Sequence, residues 1–324
     1  MAKFVLGDFE SLRQPWKEVY VKARERLLFS SFDWSKLWWK HFGGSSRLHL
    51  GAIEENGHVI GIAPLRIDEG IARFIGSDNV CDFLDFVVEP GQEALFYSTL
   101  LDHLSAIGID SLELCPILDK SSARTFMVDM AQKRNMDVSC TQEDVTVVME
   151  LPADLPAYLS GLSGKQRHEL LRKERRLNEE GDISYRISGQ PTEAEIATFL
   201  QFFRESREDK NRFMTDPMQA FFEALLRDIS AERMLQMGVL ELNKVPVAAT
   251  LGFNYQNSSY LYNSGYNPAY RLLSVGVISK YYYIKDSIDS HRILFDFLKG
   301  AEKYKYYLGG TDVLLFSCII KING

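Results

Sequence analysis

Apolar and polar positions alternate along this chain in runs of strand and helix length. Trp34, Leu37, Trp38, His41 and Phe42 recur at helical spacing within residues 32–42. Residues 48–53 and 59–66 have strand character and flank Glu54-Glu55-Asn56-Gly57, where Asn-Gly supplies the positive φ angles of a tight turn, so a hairpin is predicted. Further strands are expected at 72–75, 83–88, 111–114 and 145–150, with helices at 93–106 and 121–135. His41, His49 and His58 lack convergent ligand spacing and read as packed or exposed histidines.

Pro152 and Pro156 then interrupt the pattern, because neither continues a helix nor donates into a central ladder. A domain boundary is expected there, giving domains 1–155 and 156–324. The second half opens with a helix at 162–177, whose inward stripe is expected to be Leu170, Leu171, Glu174 and Leu177. A helix at 192–208 follows, with Thr192 as N-cap and Glu195 as its capping-box partner, then a helix at 217–229. Strands are expected at 234–242 and 245–255 about the turn Asn243-Lys244, and again at 258–266. This order of elements occurs in both halves and suggests a duplicated α/β unit.

Composition narrows the classes. The 324 residues are 46% hydrophobic, 25% charged and carry a formal charge of -7, which fits a globular chain and argues against a broad nucleic-acid surface. No run of eighteen apolar residues occurs, and the first residues lack a leader pattern, so no membrane insertion and a cytoplasmic location are expected. Cys81, Cys115, Cys140 and Cys318 have no CxxC or Cys-His spacing and read as reduced, buried thiols with no metal site.

Candidate chemistry concentrates near the end. Residues 259–266 alternate as a strand that Asn267-Pro268 ends, and Ser274 stands where it can cap a helix through Val277, Ile278, Tyr281, Ile284 and Ile288. A helix N-terminus offers unpaired N–H groups and partial positive charge to phosphate oxygens, and Gly276 permits close approach. An ordinary helix cap is the competing reading. The next strand, 292–298, leads into Lys299-Gly300-Ala301-Glu302-Lys303-Tyr304-Lys305; parallel pairing with the preceding strand would gather Asp296, Lys299, Glu302 and Lys305 beside that helix start. Asp82 and Asp85 point to opposite faces of a strand and read as structural. Tyr255, Tyr260, Tyr262, Tyr266, Tyr270, Tyr281, Tyr282 and Tyr283 read as core and cleft wall. The 162–177 helix is densely basic and is either a solvated, ion-paired linker or a site for phosphate or an acidic substrate.

Residues 267–307, with Asn267-Pro268, Arg271-Leu272-Leu273-Ser274-Val275-Gly276, Asp296-Phe297, Lys299-Gly300, Glu302 and Tyr304-Lys305, resemble the C-terminal signature of the CelD-like acetyltransferases, a GNAT-superfamily group related to FemAB-type enzymes. Val275 replaces the family's usual proline, and Asn267 a frequent aspartate. The resemblance implies an α/β fold of two tandem GNAT-like domains, each a mixed sheet flanked by helices, the first degenerate and the second holding acetyl-CoA or another acyl-CoA. It implies a donor cradle at Arg271, Leu272, Leu273, Ser274, Val275 and Gly276. Asp296 or Glu302 would accept the amine proton, Tyr304 would protonate the thiolate and Lys305 would neutralise charge. Lys165, Arg167, Arg172 and Lys299 would hold the acceptor, which is an amine of a small molecule, amino sugar or polysaccharide precursor. Two alternatives stay open: FemAB-like transfer from a charged tRNA docked on the basic helix, against which the acidic chain counts, and a non-catalytic binding protein.

Overall fold

The expected hairpin forms, with Asn56 and Gly57 at φ 50° and 81° as the tight turn requires. In the computed structural model, which describes residues 1–229 and 234–323, it belongs to the first of two units, Met1–Val145 with Val313–Gly324; the second is Thr146–Asp312. The chain passes from one unit to the other within two strands.

Up to the first crossing the elements are β1 (Lys3–Leu6), α1 (Arg13–Lys22), α2 (Phe32–Phe42), β2 (Arg47–Glu55), β3 (His58–Asp68), β4 (Ile71–Phe74), β5 (Val87–Val88), α3 (Glu93–Ala106), β6 (Ser111–Leu118), α4 (Val128–Lys133) and β7 (Val138–Glu150). The second unit adds α5 (Leu155–Gly161), α6 (Gly164–Asn178), β8 (Ile183–Ser188), α7 (Glu193–Ser206), α8 (Glu208–Phe213), α9 (Asp216–Asp228), β9 (Leu235–Leu242), β10 (Val245–Tyr255) and β11 (Ser258–Tyr266). A 3-10 helix (Pro268–Leu273), α10 (Val275–Asp289), β12 (Leu294–Lys299) and α11 (Lys303–Tyr307) follow, and β13 (Thr311–Lys321) returns the chain to the first unit.

Strand order in the first unit is β1-β2-β3-β4-β6-β13-β7, with β5 on β3. Its core is aromatic: Trp16, Phe29, Trp34, Phe96 and Tyr97 are fully buried, each contributing about 2–3 kcal/mol through surface removed from water. In the second unit the order is β7-β12-β11-β10-β9-β8. There Phe199, Phe203, Phe221 and Phe222 of α7 and α9 are buried with Phe253 of β10. The duplication inferred from element order holds at the level of topology. An antiparallel run (β2-β3-β4 or β9-β10-β11) is followed by a helix (α3 or α10) and a strand parallel to the last (β6 to β4, β12 to β11).

Several expectations are corrected. The 192–208 helix forms as α7 and stops at Ser206, because Arg207 is extended at φ -159°, ψ 144°, and the separate α8 starts at Glu208; the Thr192–Glu195 capping box of α7 is present. The 121–135 helix opens as a π turn over Ala123–Met127. The 83–88 strand shrinks to Val87–Val88, since the Leu84 N–H is taken by Pro116 O at 2.8 Å. Leu171 is 39% exposed, leaving Leu170 and Leu177 as the buried stripe of α6. Two of the four cysteines are not thiols: Cys140 and Cys318 form a disulfide across 178 residues. They sit on β7 and β13, which the sheet makes neighbours.

Candidate active site

β11 and β12 are hydrogen-bonded in parallel over Ser258–Tyr260 and Leu294–Asp296, and their register ends there. β11 continues to Tyr266 along β10, so its other edge offers backbone groups beyond Tyr260 to an incoming chain. At the end of β11 the Asn267 side chain accepts the Ala269 N–H at 3.0 Å and starts the 3-10 helix. Ser274 then turns the chain through a left-handed conformation (φ 59°, ψ 29°) into α10. No side chain caps α10, so the partial positive charge of its start is not met by a side-chain cap. A Cβ at Gly276 would lie 3.0 Å from Tyr266 Cδ1, so this glycine also makes room for the Tyr266 ring.

At the end of β12 the backbone enters a tight turn in which Leu298 (φ 64°) and Gly300 (φ 103°) are left-handed. Asp296 is 4% exposed, and its Oδ1 accepts from Thr146 Oγ1 and the Leu298 N–H, both at 2.8 Å. Lys305 is likewise buried; its Nζ donates to the carbonyls of Leu298 (2.7 Å), Lys299 (2.7 Å) and Gly300 (2.9 Å) and pairs with Glu302 at 2.9 Å. These two residues hold the strained turn. Glu302 opens α11 with its carboxylate partly exposed. Burial, then the nearby Glu302 carboxylate, hold the Tyr304 phenol well above its usual range, so it stays protonated.

Two lysines that the sequence reading passed over meet this group. Lys280, one turn into α10, is 8% exposed; its Nζ donates to Gly276 O at 2.7 Å and stands 4.8 Å from the centre of the Tyr304 ring. Burial first, then the like charges of Lys210 and Lys305, bring its pKa down to about 7, against the pull of Glu302. Lys210 of α8 donates to Ser264 O on β11 and stands over the Phe203 ring. Burial and Arg207 lower it to about 8. Lys280 was legible as a cation four residues after Gly276 on an otherwise apolar helix face; Lys210 sits in a charged run with no distinguishing signal.

The basic helix α6 is tied to α11: Gln166 Nε2 donates to Tyr306 O at 2.9 Å and Tyr307 Oη to Gln166 O at 3.2 Å. Lys165 and Arg167 are exposed in its first turn, where Arg167 Nη1 reaches Leu159 O at 3.4 Å. Arg172 is committed to Glu169 through Nε (2.6 Å) and Nη2 (2.8 Å), and Lys173 binds the same carboxylate. Those hydrogen bonds hold Glu169 down to about 2. Lys299 gives its carbonyl to Lys305.

In the first unit a buried carboxylate gathers the N–H groups that open the helical stretch after β6. Asp85, 4% exposed, accepts the N–H groups of Phe86 (2.8 Å), Ser122 (2.7 Å) and Ala123 (3.0 Å). Burial still pushes its carboxyl up to about 7. It lines a cavity of about 350 Å³ with Arg24, Glu25, Glu93 and Lys120, and Glu93 lies in the first turn of α3.

Residues 164–306 match the acetyltransferase (GNAT) domain family, and that segment is a GNAT-type acyltransferase domain. No curated protein matches the chain. Among solved structures it is similar to FemX (11% identity, 99% of this chain and 96% of that one, TM-score 0.64). It is also similar to L-PGS from Bacillus licheniformis (12%, 98% and 93%, 0.57). A third is a tandem GNAT protein from the clavulanic acid biosynthesis pathway (12%, 100% and 99%, 0.53). At these identities the likeness is one of fold: two GNAT-type domains in tandem. Among the described residues no cluster of His, Cys, Asp and Glu could hold a metal, and no helix is long and apolar enough to cross a membrane.

Proposed function

We propose that this protein is an acyl-CoA-dependent N-acyltransferase with one donor site, in residues 146–312, that acylates an amine of a small molecule, amino sugar or polysaccharide precursor. The observation that carries this reading is the parting of β11 from β12 beside the uncapped start of α10. A pantetheine arm has amides able to pair with an open strand edge, and a pyrophosphate suits a bare helix N-terminus. Residues 271–276 form the cradle, with the N–H groups of Val275 and Gly276 toward the phosphates and Arg271 exposed beside them. This arrangement fits the CelD-like resemblance, and Val275 in place of proline keeps a backbone N–H that proline would lack.

Acyl transfer to an amine needs a proton removed from the amine and one supplied to the leaving thiolate. In this reading Glu302 accepts the amine proton through water. Tyr304, kept as a phenol by burial, supplies the thiolate proton. Asp296 and Lys305 act as positioning residues: they lock the turn that presents Glu302 and Tyr304. Lys165, Arg167 and Lys299 remain toward the acceptor, whereas Arg172 is occupied by Glu169. In this reading the first unit carries no donor, and Glu93 in the first turn of α3 disfavours an anion at that helix start.

Calorimetric titration with acetyl-CoA tests the assignment: one site per chain is expected. Absence of binding, together with tRNA affinity that falls steeply with salt, would move the reading to aminoacyl transfer from tRNA.

A further inference from the structure

Lys210, on Ser264 O of β11, and Lys280, on Gly276 O against the Tyr304 ring, border the turn whose carboxylate, Glu302, Lys305 already binds at 2.9 Å. The three cations and that carboxylate influence one another electrostatically. The Lys305 ammonium is saturated by three carbonyls and Glu302. Lys210 and Lys280 are not: each has three donors and one backbone acceptor, Ser264 O and Gly276 O respectively. Asp209, the other acid near Lys210, is held through both oxygens by Arg207 at 2.9 and 2.7 Å. Among the described residues neither Lys210 nor Lys280 has a carboxylate within salt-bridge distance. Buried cations lacking a counter-ion are costly to the fold, and an anion placed between them relieves that cost.

We infer that Lys210 and Lys280 form an oxyanion subsite selecting an acceptor that carries a carboxylate or phosphate beside its amine. The inference rests on the reading of this unit as the acyl-transfer site. It places the anion with the acceptor because Lys280 lies a turn inside α10 and stands against the Tyr304 ring, whereas the donor's phosphates are assigned to the first N–H groups of α10. The surface cations of α6 are poorer candidates, since Arg172 and Lys173 share Glu169. An oxyanion at Lys280 raises the affinity of its amine for protons, so binding takes up a proton near neutral pH.

The test is calorimetry of the full chain with inorganic phosphate and with acetate at pH 7.5, in two buffers of different ionisation heat, with and without saturating acetyl-CoA. Expected is anion binding with proton uptake that persists beside acetyl-CoA, the stronger of the two anions naming the acceptor group. Lys280→Met and Lys210→Met should each weaken it by about tenfold and leave acetyl-CoA affinity unchanged. Lys280→Met replaces a buried cation by an apolar chain of similar length, and Lys210→Met alters a less buried position, so a folded variant is available. No anion binding, binding unchanged in both variants, or binding abolished by acetyl-CoA would overturn the inference. Lysine-dependent anion binding in a chain that fails to bind acetyl-CoA would sink the donor reading alone and leave the anion subsite standing.

Discussion

Lys305 shows how a residue expected to meet charge in a reaction spends its ammonium on the backbone. Removing its head leaves three carbonyls at 298–300 and Glu302 without their donor, and breaking such a buried group costs about 3–5 kcal/mol. Lys305→Met should therefore lower unfolding free energy by that order in denaturant melts; unchanged stability would show that the turn holds without it. His49 makes a second residue-scale case. It is buried, with Nε2 3.0 Å from His103 Nε2 and Phe4 stacked on both rings. Burial first, then His103 and Arg47, depress its pKa from 6.5 to about 4. The unfolded chain then binds more protons between those values, so stability is full above pH 6.5 and falls as pH drops toward 4, by up to about 3 kcal/mol. Denaturation at pH 7 and pH 4.5 should show the fall for the native chain and a smaller one for His49→Gln.

At the level of elements, the decisive unit is α10 with the two strands it connects. Gly276→Glu puts a carboxylate at the helix start and should abolish acetyl-CoA binding. Gly276→Ala controls for the 3.0 Å approach to Tyr266 and should retain most of it, as read by calorimetry on chains with native circular dichroism. Equal binding in both would remove the donor from this helix. Much of this element was legible in sequence: Asn56-Gly57 and Asn243-Lys244 mark turns by local chemistry, and both pairs have positive φ. Asn267-Pro268 and Ser274 likewise mark where β11 stops and α10 starts. What was not legible depends on partners distant in the chain. The parting of β11 from β12 is set by β12 pairing with β7, the short β1 carries too little periodicity to register, and the environment of Lys280 is made by α8 and α11.

For the whole molecule, the pairing of β6 with β13 and the place of β7 beside it escaped prediction because strand order is a property of the sheet. That order is what turned two expected thiols into the Cys140–Cys318 bridge. A loop of 178 residues restricts the unfolded chain by about 5 kcal/mol in chain-entropy terms, so a reductant should lower the midpoint of denaturation. An unchanged midpoint would place the bridge outside the cooperative unit.

Both crossings of the chain between its units fall inside that loop. A pulling force applied to the two termini of the oxidised protein therefore travels through the bridge and bypasses residues 146–312. In single-molecule stretching the second unit is mechanically silent, and the extension reached falls short by the 178-residue span, roughly 600 Å of extended chain. Dithiothreitol returns that length as a new rupture event, which makes the second unit addressable by force only after reduction.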